Sequence, residues 1–224
     1  MMAFDAVVFD LDNTLCRQDG DVGAAYRQAF EQVGTEPFGE PADLWSALDG
    51  SPDPNDRIGY LGAGFARVAA QYDRRDVDPI ALASALLDGI DTSAVAFLPG
   101  AERVLETARS HGPVAILTNG PRRRQRAKIR ALDLEDAVDT IVYAGDLPRR
   151  KPHVDPFEIV LEELGVRAGR SVYVGDSLEY DVAGAHNAGL QAAWLRPDGE
   201  DAGRYRPEYE LDSLTELHDV LTAE

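Results

Sequence analysis

Lysine is almost missing from this chain: of 22 cationic side chains, only Lys128 and Lys151 are lysine. Cysteine is reduced to one residue, Cys16, which excludes an internal disulfide and a structural cysteine zinc site. The four histidines, His111, His153, His186 and His218, are scattered without zinc-ligand spacing. No apolar run reaches the roughly 18 residues that a membrane-spanning helix requires. The first residues, Met1 to Asp10, carry no basic segment followed by an apolar one, so no secretory signal is expected. Cations are outnumbered by 40 acidic residues, giving a formal charge of −18. Such a field repels nucleic acid and anionic membranes, so neither is expected as a partner. These absences point to a cytoplasmic protein.

What is present is a chain of 224 residues and 24.4 kDa. That length suits one generous domain or a core with a smaller insert. A hydrophobic fraction of 44% and a charged fraction of 28% predict a folded, soluble protein. Acidic excess with scarce lysine resembles the proteins of halophilic, salt-accumulating cells. Surface carboxylates favour solubility there, and salt near 1 M shortens the Debye length to roughly 3 Å, screening their repulsion.

Phe4 to Asp10 is a short apolar run ending in acid. Pro113 to Asn119 and Ser171 to Asp176 have the same form, with weaker runs at Thr140–Ala144 and Gln191–Leu195. Near-continuous apolarity marks strands covered on both faces, as in a parallel sheet. Between them lie helical patterns. Glu102 to His111 is stopped by Gly112. Asp155-Pro156-Phe157-Glu158 reads as a cap, a proline at the first position and an acid three residues on, leading to Phe157, Val160, Leu161 and Leu164 on one face and an end at Gly165. Ser213 and Glu216 form a capping-box pattern before a C-terminal helix that turns Leu214, Leu217 and Leu221 inward. The expected fold class is α/β: a Rossmann-like parallel sheet sandwiched by helices.

Residues 16–96 break the alternation, because no strand signal appears there. Tyr26, Phe30 and Val33 share one helical face. Ile58, Leu61, Phe65, Val68 and Tyr72 share another, Ile80, Ala83, Leu87 and Ile90 a third, and Leu44, Trp45 and Leu48 a short fourth. Pro52-Asp53-Pro54 reads as a turn. An inserted α-helical cap over 16–96 is therefore expected, leaving 1–15 and 97–224 as the α/β core.

In parallel α/β sheets ligands bind beyond the carboxyl ends of the strands. Three strand ends carry polar clusters: Asp10-Leu11-Asp12-Asn13-Thr14, Thr118-Asn119-Gly120 and Gly175-Asp176-Ser177. Lys151 stands in a Lys-Pro turn before the Asp155 helix. If these converge, the clustered carboxylates require a cation. All-oxygen ligation selects a hard ion, Mg2+. A cation together with Lys151 makes a pocket for a dianionic phosphoryl group, with Thr118 and Asn119 as hydrogen-bond donors.

The segments DLDNTL (Asp10–Leu15), TNG (Thr118–Gly120), KPHVDPF (Lys151–Phe157) and GDSLEYDVAGAHNAG (Gly175–Gly189) resemble, in order and spacing, those of the haloacid dehalogenase-like (HAD) hydrolase superfamily. The resemblance implies Asp10 as a nucleophile that becomes an aspartyl-phosphate, and Asp12 as general acid and then base. It implies Mg2+ held by Asp10, the Asp12 carbonyl and Asp176. Thr118, Asn119 and Gly120 would bind the phosphoryl group and Lys151 would neutralise charge. Asp181 and Ser177 would support these groups from behind. Asp12 further separates branches: dehalogenases of this kind lack the second aspartate, so phosphate-ester hydrolysis is implied. The substrate class would be small phosphorylated metabolites, nucleotide or sugar phosphates, admitted beneath the cap, with the enzyme a monomer or homodimer. A phosphomutase on the same fold, and a non-catalytic phospho-acceptor or small-molecule-binding module, are the alternatives.

Other residues carry plainer expectations. Arg122-Arg123-Arg124-Gln125-Arg126 reads as a solvated helix pairing with surface acids. Arg149 and Arg150, beside Lys151, are weaker candidates for substrate phosphate. Cys16 reads as buried filler, Trp45 and Phe65 as core, and Asp19 and Asp21 as solvated loop.

Overall fold

The computed structural model describes residues 4–48, 56–197 and 199–222. The Pro52-Asp53-Pro54 turn lies outside them. The described residues form eight strands: β1 (Ala6–Phe9), β2 (Cys16–Gln18), β3 (Val95–Phe97), β4 (Val114–Thr118), β5 (Thr140–Tyr143), β6 (Ser171–Gly175), β7 (Gln191–Leu195) and β8 (Tyr209–Leu211). The α-helices are α1 (Val22–Val33), α2 (Pro41–Ser46), α3 (Arg57–Gln71), α4 (Pro79–Gly89), α5 (Ala101–His111), α6 (Arg122–Ala131), α7 (Asp155–Leu164), α8 (Ala183–Asn187) and α9 (Leu217–Thr222). The chain divides into two compact units, Met1–Gln18 with Thr92–Glu224, and Asp19–Asp91.

The first unit holds a six-stranded sheet in the order β5-β4-β1-β6-β7-β8, every neighbouring pair parallel. All five strands read from the sequence lie in it, and helices flank it as expected of a Rossmann-like fold. The apolar runs are continuous because both faces are buried. Val7 and Phe9 enter one core with Val104, Ile116 and Val174, while Val8 enters the opposite core with Leu117, Phe157 and Tyr173. β1 lies between β4 and β6, so the chain leaves it toward either side of the sheet. The carboxyl end of β1 is therefore the crevice position of a parallel sheet.

Three strands escaped the sequence reading. β2 and β3 form an antiparallel ribbon, Cys16 opposite Phe97, at the margins of the stretch expected to be purely helical. At three residues each, and with β2 mostly exposed, they carry no apolar run to detect. β8 is equally short and pairs at the sheet edge through Tyr209–Leu211. The ribbon groups with the α/β unit, so the compact helical unit, 19–91, is narrower than the expected 16–96.

That unit packs Tyr26, Phe30, Phe38, Phe65 and Leu86 into one core. Three helical faces are rotated from their predicted centres. Ile80 is exposed and Leu82 and Leu86 are buried in α4; Ile58 and Tyr72 end α3 in solvent; Trp45 is exposed while Leu44 is buried. Amphipathic helices here have flanks of alanine, and small residues let the buried face turn without losing apolar contact. Asp21 is not a plain loop residue: its carboxylate accepts from Ala24 N at 2.8 Å and caps α1.

Two other helix starts differ in detail. Asp155 is the first residue of α7 rather than its cap; Val154 holds the cap position. At the C-terminus Ser213 accepts from Thr215 N at 3.3 Å and Glu216 from Asp212 N at 3.1 Å, so the predicted box is shifted by one residue and opens a single 3-10 turn before α9. Among the described residues no helix is long and apolar enough to cross a membrane.

Candidate active site

The three motif aspartates are delivered by two adjacent parallel strands. Asp10 follows β1 and its N–H donates to Val174 O at 2.8 Å, locking it beside β6; Asp176 follows β6. Asn13, with φ of 59°, then turns the chain so that Leu15 and Cys16 donate to Leu11 O. Asparagine tolerates that left-handed geometry better than most residues, which gives the DLDNT segment a local reason. Thr14 Oγ1 donates to Asp176 Oδ1 at 3.3 Å, tying the two strand ends together.

Lys151 is 2% exposed and saturated with acceptors. Its Nζ donates to Asp10 Oδ1 at 2.6 Å, Asp181 Oδ1 at 2.7 Å, Tyr173 Oη at 2.7 Å and Leu117 O at 3.1 Å. Burial would lower its pKa, but Asp10 and Asp181 outweigh burial and hold it above the ordinary lysine value. The loop carrying it is fixed by Asn119, whose Oδ1 accepts from Lys151 N at 2.9 Å and whose Nδ2 donates to Lys151 O at 3.1 Å. The Asn119 carboxamide, expected on phosphoryl oxygens, is thus occupied in shaping the Lys151 turn. Asp181 is also held by Ser177 N at 2.9 Å, and Ser177 Oγ accepts from Tyr180 N at 3.1 Å. A Cβ on Gly175 would lie 2.4 Å from Asp181 Cγ, so this close approach requires glycine.

Asp10, Asp176 and Asp181 each offer an oxygen within 4.8 Å of the others. Lys151 compensates only part of their charge. Burial, then Asp181, pushes Asp176 up to about 6. Burial also raises Asp10 well above a normal carboxyl, only partly offset by Lys151. Asp10 Oδ2 and Asp176 Oδ2 accept no hydrogen bond from another described residue, whereas both Asp181 oxygens are engaged. An under-compensated all-oxygen set with two open ligand atoms fits a hard divalent cation such as Mg2+.

The Asp12 carboxylate is not among these three. It turns to α6, where Gln125 Nε2 donates to Oδ2 at 2.6 Å and Lys128 Nζ pairs with Oδ1. Burial would raise this carboxyl; Lys128 and the Gln125 hydrogen bond prevail and hold it below the usual value. Gln125 Nε2 also donates to Thr118 Oγ1 at 2.8 Å, which in addition accepts from Gly120 N at 3.2 Å. Both acceptor positions of the hydroxyl are thereby filled and its proton has no described acceptor, so it is available to donate outward. A Cβ on Gly120 would sit 2.3 Å from Gln125 Nε2, which explains the glycine.

Gln125, Lys128 and Tyr173 were missed as site residues. The basic run Arg122–Arg126 hid the first two: α6 is not merely a solvated helix, because it buries Gln125, Lys128 and Ile129 on one face. Arg122, Arg123, Arg126 and Arg130 are exposed, with Arg122 over the Tyr143 ring at 4.8 Å, whereas Arg124 is half-buried and its charge reaches Asp12. The available signal was lysine scarcity: the two lysines in the chain are the two that pair with the motif aspartates. Cys16 is buried and its thiol is pushed up to about 12 by burial and then Asp12, so it is no nucleophile.

A model of the family described as haloacid dehalogenase-like hydrolase matches residues 4–189, which contain every one of these side chains. The chain belongs to the haloacid dehalogenase-like hydrolases. It is similar to the ribulose-1,5-bisphosphate 5-phosphatase of Halopiger xanaduensis, 30% identical, the alignment covering 97% of this chain and 99% of that one. It is similar also to the phosphoglycolate phosphatase of Cereibacter sphaeroides, 32% identical over 96% of this chain and 94% of that one. Among solved structures, a predicted phosphoglycolate phosphatase from Haemophilus somnus superposes with a TM-score of 0.74 at 19% identity, covering 98% of this chain and 99% of that one, which speaks to the fold of this HAD hydrolase.

Proposed function

We propose that this HAD hydrolase is a Mg2+-dependent phosphatase of small phosphorylated metabolites, sugar or nucleotide phosphates, working through an aspartyl-phosphate on Asp10. The observation that carries this reading is the separation of its two motif carboxylates. Asp10 lies with Lys151 and Asp176 in a buried cluster, while Asp12, two residues on, is kept on a different cation, Lys128. One carboxylate is thus free for covalent chemistry and the other for proton transfer. The named activities of the full-length relatives, both phosphatases, support the same choice.

In this mechanism an Asp10 carboxylate oxygen attacks phosphorus and the bond from phosphorus to the leaving alcohol breaks. Asp12 gives its proton to that leaving oxygen. A dianionic phosphoryl group arriving near Asp12 raises its proton affinity, opposing Lys128 and favouring the acid form. Water then attacks phosphorus of the aspartyl-phosphate and gives its proton to Asp12, releasing inorganic phosphate and restoring Asp10. Thr118 donates its outward proton to a phosphoryl oxygen, and Lys151 holds Asp10 in place and offsets its charge. Asp10 and Asp176 would hold Mg2+, which would supply charge neutralisation for the transferring phosphoryl group.

The test is phosphate release from a panel of phosphorylated metabolites and from p-nitrophenyl phosphate, with Mg2+ or with EDTA. Release with Mg2+ that is abolished by EDTA and by Asp10→Asn is the expected result. Turnover unchanged in Asp10→Asn would overturn the assignment.

A further inference from the structure

We infer that Lys128 and Gln125 are positioning residues that clamp the Asp12 carboxylate in the orientation from which it exchanges a proton with the leaving group. The inference rests on the phosphatase reading above and extends it to two residues of α6.

Four observations carry it. First, both carboxylate oxygens of Asp12 are held, Oδ2 by Gln125 at 2.6 Å and Oδ1 by Lys128, so neither its first nor its second side-chain torsion is free. Second, the clamp comes from inside while its target stays open. The Lys128 side chain is 11% exposed and that of Asp12 is 42% exposed. A buried ammonium beside a half-open carboxylate anchors that carboxylate and leaves it reachable. Third, Gln125 is fully buried, and its Oε1 is the buried side-chain polar atom without a partner among the described residues. Leaving a buried acceptor unpaired is unfavourable. The opposite orientation would aim Oε1 at the Asp12 carboxylate, so the amide is held by its Nε2 contacts. Fourth, Gln125 Nε2 bonds Thr118 Oγ1 with its other hydrogen. One amide thereby sets the spacing between the proton-transfer group and the hydroxyl that faces the phosphoryl oxygens.

The lysine is also chemically specific. In a chain that otherwise uses arginine for its cations, a compact ammonium is kept here. It meets Asp12 as a point charge, without the planar fork of a guanidinium.

The experiment compares two substrates with Mg2+: p-nitrophenyl phosphate, whose leaving group departs without a proton, and an alkyl phosphate, whose leaving alkoxide needs one. Lys128→Met is expected to lower kcat/KM, which covers the steps up to leaving-group departure and leaves out the shared hydrolysis of the aspartyl-phosphate, by about 10- to 100-fold for the alkyl phosphate and by less than about 3-fold for the aryl phosphate, a part of the roughly 10²–10⁴-fold that general acid catalysis supplies. Lys128→Gln, which keeps a donor without the charge and stands in should the methionine variant fail to fold, is expected to recover most of the alkyl rate. Equal loss of kcat/KM on both substrates, no loss on either, or no recovery of the alkyl kcat/KM in Lys128→Gln would overturn the clamp. Asp12→Asn separates the two levels. An alkyl-selective loss in Asp12→Asn without one in Lys128→Met removes the clamp and leaves the phosphatase reading intact. No alkyl-selective loss of kcat/KM in Asp12→Asn removes the role of Asp12 as acid toward the leaving group.

Discussion

The two lysine–aspartate pairs use the same functional groups in opposite settings. Lys151 and Asp10 are closed in, with side chains 2% and 10% exposed, and the ammonium is shared with Asp181, Tyr173 and a main-chain carbonyl. The Lys128–Asp12 pair is open at the carboxylate end. A nucleophile that must not be hydrated gains from the first setting, because a dry carboxylate keeps its reactivity. A group that must meet both a leaving alcohol and water gains from the second. In the proposed mechanism burial therefore separates the two roles, although the two aspartates stand two residues apart in one loop.

Asp10→Asn should break the comparison most severely: at least about a 10⁴-fold loss of turnover, because no other group replaces a covalent nucleophile. Steady-state phosphate release measures it. Lys151→Met comes next and acts on stability. It leaves Asp10 and Asp181 without their shared cation, and removing one member of a buried ion pair costs about 3–5 kcal/mol. Urea denaturation without Mg2+ reads this directly, and the same substitution at Lys128, whose partner Asp12 is half-open to water, should cost markedly less.

A pH experiment sharpens the contrast further. The folded-state pKa of Asp176 is raised to about 6, so the folded protein binds its proton more tightly than the unfolded chain. The stability this confers is present at low pH and is lost as pH rises from about 4 to about 6 in metal-free protein. Mg2+ should reverse the trend, since it binds the ionised form; the rise in melting temperature on adding Mg2+ should be larger at pH 8 than at pH 5, and Asp176→Asn should weaken both dependences, leaving the part that Asp10 contributes. The smallest effect is expected from Tyr173→Phe. Its hydroxyl accepts from Lys151 and donates to Leu117 O at 2.9 Å, and its loss should cost about 0.5–1.5 kcal/mol.

Much of this arrangement is readable from the chain. The central strands are apolar on both faces and end in polar residues, so β1, β4 and β6 announce both the parallel sheet and the place where Asp10, Thr118 and Asp176 meet. Lys151, Asp181 and Ser177 lie in segments whose order and spacing resemble the family. What escaped did so for physical reasons. The β2–β3 ribbon is too short to show alternation. Gln125 and Lys128 sit in a helix whose arginines dominate its composition, and a polar face turned inward looks like a polar face turned outward until its partner is known. Asn119 is expected on the phosphoryl group from its place in the TNG segment; that its carboxamide also bonds the Lys151 main chain needed the fold to be seen. Tyr173 sits mid-strand in an apolar run, where its hydroxyl gives no sign of reaching the lysine.

The central claim is that Asp10 carries the phosphoryl group between alcohol and water. A crystal grown with Mg2+ and beryllium fluoride tests it most directly. The account predicts a tetrahedral fluoroberyllate on an Asp10 carboxylate oxygen, with the cation between Asp10 and Asp176 and Thr118 donating to a fluorine. Fluoroberyllate bound elsewhere, with Asp10 unmodified, would contradict it.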